Sequence, residues 1–376
     1  MRPYWLAEDE TPVASTPLSA PAEVEIVGGG ITGAACAHAL ATAGVRVRLH
    51  EAREIAGGAS GRNGGFALRG MAAPYDVMAG SIGNDNSKAL WEWTEREIVA
   101  LRALAGDAFR QLGSLRIAVD GEERDELRAE YEAMVADGID AEWVDRPVGP
   151  SPGRFTAGLL HPPDGALQPA RLVRRLASLA AEAGAEICEH HRVGSVEELE
   201  APTVIVCTDG YPSGLLGSIE GLIVPTRGQV IATEPIAEDL GCTMPHYGRH
   251  GFDYWHQAED GRLVAGGFRD ISLDSEFTDQ ESLTDTVQEA LTAFVRELAG
   301  RDVRIDYRWA GIFGLVLDFL PVVGRLPGDD RVWVAGGYSG HGNVLGFSCG
   351  RLVARAVQGE SDPLLALFAP TRLLHA

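Results

Sequence analysis

Gly28, Gly30 and Gly33 stand at G-x-G-x-x-G spacing in the run Val27-Gly28-Gly29-Gly30-Ile31-Thr32-Gly33. At that spacing the first glycine permits a tight turn and the second lets backbone approach a pyrophosphate. The third lets a helix lie close to a strand. Ile31 and Thr32 would open that helix, whose N-terminus favours the negative charge of phosphates. Glu51, about 20 residues further on, is placed to accept the hydroxyls of a ribose, with Ala52 beside it. The motif alone identifies a bound dinucleotide and leaves open which one.

A second glycine-dense stretch, Gly57-Gly58-Ala59-Ser60-Gly61-Arg62-Asn63-Gly64-Gly65, follows directly after Glu51. Its glycines let backbone lie against an extended cofactor. Ser60, Arg62 and Asn63 can supply hydrogen bonds or charge, and Ala59, Gly64 and Gly65 belong to the same contact surface. A third stretch, Gly336-Gly337-Tyr338-Ser339-Gly340-His341-Gly342, again leads into a helix, through Asn343 and Val344. The dipole at that helix start would stabilise negative charge on a reduced flavin. Three glycine-rich approaches suit a molecule as long as FAD. There is no second complete G-x-G-x-x-G with a following acid, so electrons are expected from an organic substrate rather than from NAD(P)H. Further expected cofactor contacts are Val193, Thr208, Gly210 and Gly311. No metal site is expected.

For the substrate face, Tyr254, Trp255 and His256 lie on an expected strand, and Arg269 follows the Gly266-Gly267 turn, where it could meet a carboxylate. His341 falls at a helix start beside the flavin. Tyr254, Arg269, His256 and His341 are the candidate catalytic residues. Hydride transfer from a neutral amine needs orientation more than a strong base, so the lack of a nucleophile–base triad is no objection.

These residues need elements to hold them. Val24-Glu25-Ile26-Val27 reads as a short buried strand, and residues 31–43 are small and apolar, as in a helix packed on a sheet. Gly44 suits the position after that helix. Val45 to Leu49 alternates with period two, as a second strand would. Residues 86–105, 121–137, 169–183 and 280–299 read as helices, and 203–207 and 331–335 as strands. Short alternating runs between residues 222 and 272 imply antiparallel strands. Residues 1–22 read as an extended arm, and the Pro- and Gly-rich residues 147–165 as a crossing between domains.

Length and composition set limits. A chain of 376 residues fits two domains. A formal net charge of −22 would repel a phosphate backbone, which excludes nucleic acid as a partner. Five cysteines without a C-x-x-C pair exclude a thiol redox centre of that spacing and a cysteine-rich zinc site. The start of the chain has no apolar signal-peptide core, and no stretch approaches the ~18 apolar residues of a membrane span. A cytoplasmic location is expected. Lys88 is the single lysine among mostly arginine cations.

The three glycine stretches, together with Gly165-Ala166-Leu167-Gln168-Pro169-Ala170-Arg171-Leu172, Arg227-Gly228-Gln229 and Asp318-Phe319-Leu320-Pro321-Val322-Val323-Gly324, carry a family resemblance. In this order the chain resembles the D-amino-acid oxidase (DAO) superfamily of FAD-dependent oxidoreductases. It is most similar to the glycine/sarcosine oxidase and γ-glutamylputrescine oxidase branch. The resemblance implies an α/β fold with a discontinuous Rossmann-type FAD domain (1–75, 150–217 and 305–376). It also implies a substrate domain on an antiparallel sheet (76–149 and 218–304). The implied reaction dehydrogenates a C–N bond of an amine or amino acid with hydride transfer to flavin N5, and the imine then hydrolyses. O2 is the expected acceptor; a quinone or partner protein is the alternative, and a non-catalytic flavin-binding subunit a more distant one. Monomeric sarcosine oxidases attach flavin to a cysteine seven residues before the Asp of the D-x-x-P-like segment. Gly311 stands there in this chain, so non-covalent FAD is expected. Those enzymes also clamp substrate with a lysine where this chain has Val344, which points away from sarcosine to a larger amine or to an acid held by another arginine. Related oxidases use a buried lysine to promote reaction with oxygen. Lys88, the single lysine, lies on an expected helix remote from the flavin stretches, so that device is expected to be missing, with oxygen reacting at a histidine-assisted site or the enzyme being a dehydrogenase.

Overall fold

In the computed structural model, which describes residues 2–147, 154–211 and 214–374, Val24–Val27 is a strand buried at every position. Such a run belongs in the middle of a parallel sheet covered on both faces. It pairs in parallel with Val47–His50 on one side and Thr203–Val206 on the other. Glu186–Cys188 and Asp329–Gly336 extend the sheet in parallel outward from those two. Val322–Leu326 closes one edge antiparallel. The strand order of this six-stranded sheet reverses direction at Val24–Val27. Ligands of open α/β sheets bind beyond the carboxyl ends of the strands at such a switch point.

The helix Ile31–Thr42 returns across this sheet and packs against the helices Pro169–Glu182 and Gly342–Val357. The packing is close because small residues meet there. A Cβ on Gly350 would lie 2.3 Å from the carbonyl oxygen of Thr32. Gly44, with φ of 83°, turns the chain out of the helix.

The second sheet has eight strands in the order Ile305–Leu315, Val224–Pro235, Arg262–Gly267, Asp253–Gln257, His246–Gly248, Ser114–Ala118, Ala157–His161 and Glu142–Val144. All neighbours are antiparallel except His246–Gly248 with Ser114–Ala118. Ala157–His161 and Ile305–Leu315 thus belong to this sheet. Residues 148–153 of the expected crossing, with the 149/150 boundary, lie outside the described residues. A small third sheet joins Phe66–Ala67, Gly165–Leu167 and Phe109–Arg110.

Period-two alternation divides the larger sheet into two faces. Leu115, Ile117, Ile231, Trp255, Leu263 and Ala265 pack with the helix Asp285–Ala299. Tyr247 pairs with both Tyr254 and Arg116, so these three share the opposite face. Trp255 therefore points away from its neighbours Tyr254 and His256.

The N-terminal segment is not wholly an extended arm. Tyr4–Glu8 is a short helix with Tyr4, Trp5 and Leu6 buried. The Trp5 indole donates to the carbonyl of Asn63 at 2.8 Å, and Gln168 donates to the carbonyl of Trp5 at 2.9 Å. Three large apolar side chains hold this stretch down, although the Pro-, Ala- and Ser-rich residues after it form no helix or strand. Among the described residues no helix is long and apolar enough to cross a membrane.

Burial drives two histidines of the larger sheet well below the ordinary value of 6.5: His246 to about 4 and His256 to about 3. Unfolding returns each to its ordinary value, so the unfolded chain binds more protons between those limits. Their contribution to stability is complete above pH 6.5 and is lost as pH falls through about 4 for His246 and about 3 for His256. Acid also relieves the net negative charge, which acts in the opposite sense. The His256→Asn variant isolates the effect. Urea midpoints measured across this range should fall less steeply with acid in the variant than in the parent, and identical slopes would contradict the assignment.

Candidate functional site

The carboxyl ends of Val24–Val27 and Thr203–Val206 open onto a cavity of about 370 Å³ whose wall includes Val27, Gly28, Cys207 and Thr208. Gly28 turns the chain there with φ of 114°, and a Cβ on it would lie 2.6 Å from the carbonyl oxygen of Cys207. Gly30 caps the helix Ile31–Thr42 without a side-chain hydrogen bond of its own. The Ile31 amide instead donates to Ser60 Oγ at 2.9 Å, which lays the second glycine stretch across the helix start. Glu51 follows directly on the neighbouring strand Val47–His50, and its carboxylate accepts from the Gly29 and Arg53 amides at 2.7 Å each.

Of the residues expected on the cofactor, Gly28, Gly30, Ile31, Thr32, Glu51, Ala52, Ala59, Ser60, Asn63, Val193, Thr208, Gly340, Gly342 and Asn343 line this cavity. Gly33, Arg62, Gly64, Gly65, Gly210, Gly311, His341 and Val344 are not in its wall. Gly33 packs inside the turn, where a Cβ would lie 1.9 Å from Gly28 O. Gly311 lies under Arg62, and Gly210 against the backbone of Phe313. Val344 is fully buried in its helix. Arg62 donates to the carbonyls of Gly57 at 2.9 Å and Ala310 at 3.1 Å, tying the second glycine stretch to the larger sheet.

The second and third glycine stretches meet at a pair of amides. Asn63 and Asn343 exchange hydrogen bonds at 3.1 Å, and Asn343 also donates to the carbonyl of Phe66 at 2.8 Å. The helix Gly342–Val357 starts here, again without a side-chain cap hydrogen bond. Two helix N-termini thus begin at the wall of one cavity, in a protein whose charge is otherwise strongly negative. This arrangement fits a long, anionic dinucleotide.

Some lining residues escaped the sequence reading. Asp209, at φ of 51°, accepts from the amides of Gly314 at 2.9 Å and Gly337 at 2.8 Å. Burial raises its pKa while those amides oppose the rise. Its signal was an acid directly after a buried strand and before a glycine. The Tyr338 hydroxyl lies 2.8 Å from Thr32 Oγ1. At the Glu51 end, His50 and His191 bring their Nδ1 atoms to 3.0 Å. Burial lowers the pKa of His50, although its neighbour Glu25 works against this.

The four candidate catalytic residues fall in different places. The Tyr254 ring lies against Gly64 and Gly266, where side chains would collide with it, and burial pushes its hydroxyl up to about 12. The Arg269 guanidinium lies 4.4 Å from the Phe252 ring and 5.6 Å from that of Phe313, and a Cβ on Gly228 would lie 3.7 Å from the Phe313 ring and 3.9 Å from the Tyr254 hydroxyl. Phe313 is part of the cavity wall. No hydrogen bond or ion pair joins Arg269 to a carboxylate among the described residues, and burial lowers its pKa. His256 sits behind the Gly64-Gly65 turn, its ring 5.9 Å from that of Trp5 and 5.5 Å from that of Phe66. His341 caps the helix Gly342–Val357, and burial followed by the charge of Arg116 pushes it down to about 4. Tyr254 and Arg269 thus meet around Phe313, and Tyr254 and His256 share a face on which both rings pack against Phe66, at 5.8 and 5.5 Å. Among the described residues no group of His, Cys, Asp and Glu side chains could hold a metal ion.

The Gly30→Leu variant would drive a side chain against Ser60, because even a Cβ there comes within 3.0 Å of its Oγ. The purified variant should be colourless while the parent retains flavin. A variant with full flavin occupancy would contradict the placement of the pyrophosphate.

Residues 23–356 match the DAO family, described as FAD dependent oxidoreductase. γ-Glutamylputrescine oxidoreductase of Escherichia coli (strain K12) is 29% identical over 369 residues, covering 90% of this chain and 84% of that protein. Glycine oxidase of Bacillus subtilis (strain 168) is 25% identical over 362 residues, covering 90% of this chain and 93% of its own. Among solved structures, L-proline dehydrogenase from P. horikoshii has the same fold. It superposes with a TM-score of 0.78 at 20% identity, over 95% of this chain and 99% of that one. The chain belongs to the DAO family of FAD-dependent oxidoreductases, and its cofactor is FAD.

Proposed function

We propose that this enzyme oxidises the C–N bond of an amine or amino acid that carries an acidic group, and that Arg269 anchors that group. The observation that carries the proposal is the state of Arg269. A half-buried guanidinium stacked on two aromatic rings, with no carboxylate partner among the described residues, is costly to keep unless a ligand completes it. γ-Glutamylputrescine and glycine, named in the relatives, both combine an amine with a carboxylate.

Glu51 would hold the ribose end of FAD. The turn from Gly28 to Ile31 with Ser60 would hold the pyrophosphate, and Asn63, Gly342 and Asn343 the end near the substrate face. Gly311 offers no side chain for a covalent link at the position where monomeric sarcosine oxidases carry a cysteine, which favours non-covalent attachment. Bound FAD supplies the acceptor for the hydride that leaves the substrate carbon.

The rest is the work of the chain's own side chains. Arg269 fixes the acidic group, and Phe252, Phe313 and Tyr254 give the region around it apolar walls that exclude water. Tyr254, with its hydroxyl pushed up to about 12, stays protonated at neutral pH and acts only as a donor or a neutral acceptor. His341, held near 4, stays uncharged and adds no repulsion against an amine. The amine reacts as the free base, because its nitrogen lone pair becomes the second bond of the imine as hydride departs. Water then converts the imine to a carbonyl compound and an amine. O2 is the proposed terminal acceptor.

Anaerobic mixing with a panel of amines and of D- and L-amino acids should bleach the flavin fastest with acid-bearing amines. In Arg269→Met the KM for these should rise about 10–100-fold, the worth of a charge-assisted hydrogen bond, with uncharged amines unaffected. Equal losses for both classes would contradict the anchor. Rapid reoxidation of the reduced enzyme by air would support O2 as acceptor, and reoxidation only by a quinone or protein would overturn it.

A further inference from the structure

We infer that residues 277–284 form a strap across the mouth of the FAD cavity, and that Glu281 is the positioning residue that latches it and limits the escape of FAD. The strap is irregular chain between the helices Leu273–Glu276 and Asp285–Ala299. Its two feet are fixed to the larger sheet. At the first foot the buried Glu276 carboxylate accepts from Arg227 Nε and Nη2 at 2.8 Å each, and from Gln229 Nε2 at 3.1 Å. At the second, Arg227 donates to Ser282 Oγ at 2.7 Å, and the Thr284 amide donates to Gln229 Oε1 at 3.1 Å.

Between these feet the strap leaves its own sheet and reaches the nucleotide side. Asp279 is part of the cavity wall. Glu281 Oε1 accepts from Arg53 Nη1 and from the Tyr211 hydroxyl, both at 2.7 Å. Its Oε2 lies 3.3 Å from Arg62 Nη1. Arg53 and Tyr211 also line the cavity, and the Arg53 guanidinium lies 5.1 Å from the Tyr211 ring. One carboxylate thus joins three groups of the nucleotide side.

Little else holds the middle of the strap. Phe277 and Leu283, which flank it, are 44% and 42% exposed, so apolar packing does not fasten it. The side chains of the latch are only 21%, 39% and 16% exposed for Glu281, Arg53 and Arg62. Partial removal from water makes such charge-assisted bonds stronger than those of a surface pair. A dinucleotide in the cavity would lie against this strap at Asp279 and against the latch partners Arg53 and Tyr211, whatever the substrate of the enzyme.

The test follows the release of FAD from diluted holoenzyme by flavin fluorescence. Release from Glu281→Ala should be about 10–100-fold faster than from the parent, as expected for losing charge-assisted bonds. Glu281→Gln, which keeps the shape and an acceptor for Tyr211, should fall between the two. Melting of the apoprotein should change little in either variant, while that of the holoenzyme falls. Release within twofold of the parent in both variants would overturn the proposal. So would equal destabilisation of apoprotein and holoenzyme, since that is the signature of a merely structural contact.

Discussion

A Cβ on residue 33 would lie 1.9 Å from the carbonyl oxygen of Gly28, so the helix Ile31–Thr42 can approach its strand this closely only with glycine there. That approach puts the helix N-terminus at the end of Val24–Val27, where the strand order of the sheet reverses. Everything else in the site is arranged around the position it defines. Ser60 covers the first amide of the helix, and Glu51 takes the amide of Gly29 from the adjacent strand. The helix Gly342–Val357 packs tightly enough on the first that its own N-terminus reaches the same cavity.

The larger sheet meets this centre through few, well-defined contacts. Asp209 ties the end of Thr203–Val206 to Gly314 in the sheet and to Gly337 in the third glycine stretch. Arg62 ties the second glycine stretch to Ala310. Tyr254 can lie flat against the glycine turn only because residues 64 and 266 have no side chains. The same sheet carries Arg269 to the cavity wall at Phe313 and sends the strap with Glu281 back over the nucleotide side. The cofactor cavity and the proposed substrate face thus share one frame, and both depend on glycines where backbone and rings pass at contact distance.

Much of this was legible in the sequence because its causes are local. The strand–turn–helix–strand order from Val24 to Glu51, the three glycine stretches and the helices at 169–183 and 280–299 each have a signal within a few residues. The last begins a little later in the structure, at Asp285, because residues before it are drawn out as the strap. What could not be read depends on partners distant in the chain. Nothing near Asp209 announces that Gly314 and Gly337 will supply its hydrogen bonds. Nothing near Arg62 tells that its guanidinium faces the carbonyls of Gly57 and Ala310. Trp255 sits between two residues of the inner face, and only the strand period sends it to the outer one. The helix Tyr4–Glu8 was hidden by the composition of the residues after it.

We propose that the glycine-lined cavity holds one FAD per chain without a covalent bond. Acid precipitation of the purified holoenzyme tests it most directly, with the flavin in pellet and supernatant measured against protein. One equivalent of FAD is expected in the supernatant, with a colourless pellet. Flavin retained by the precipitated chain, or protein that carries no flavin after incubation with FAD, would contradict it.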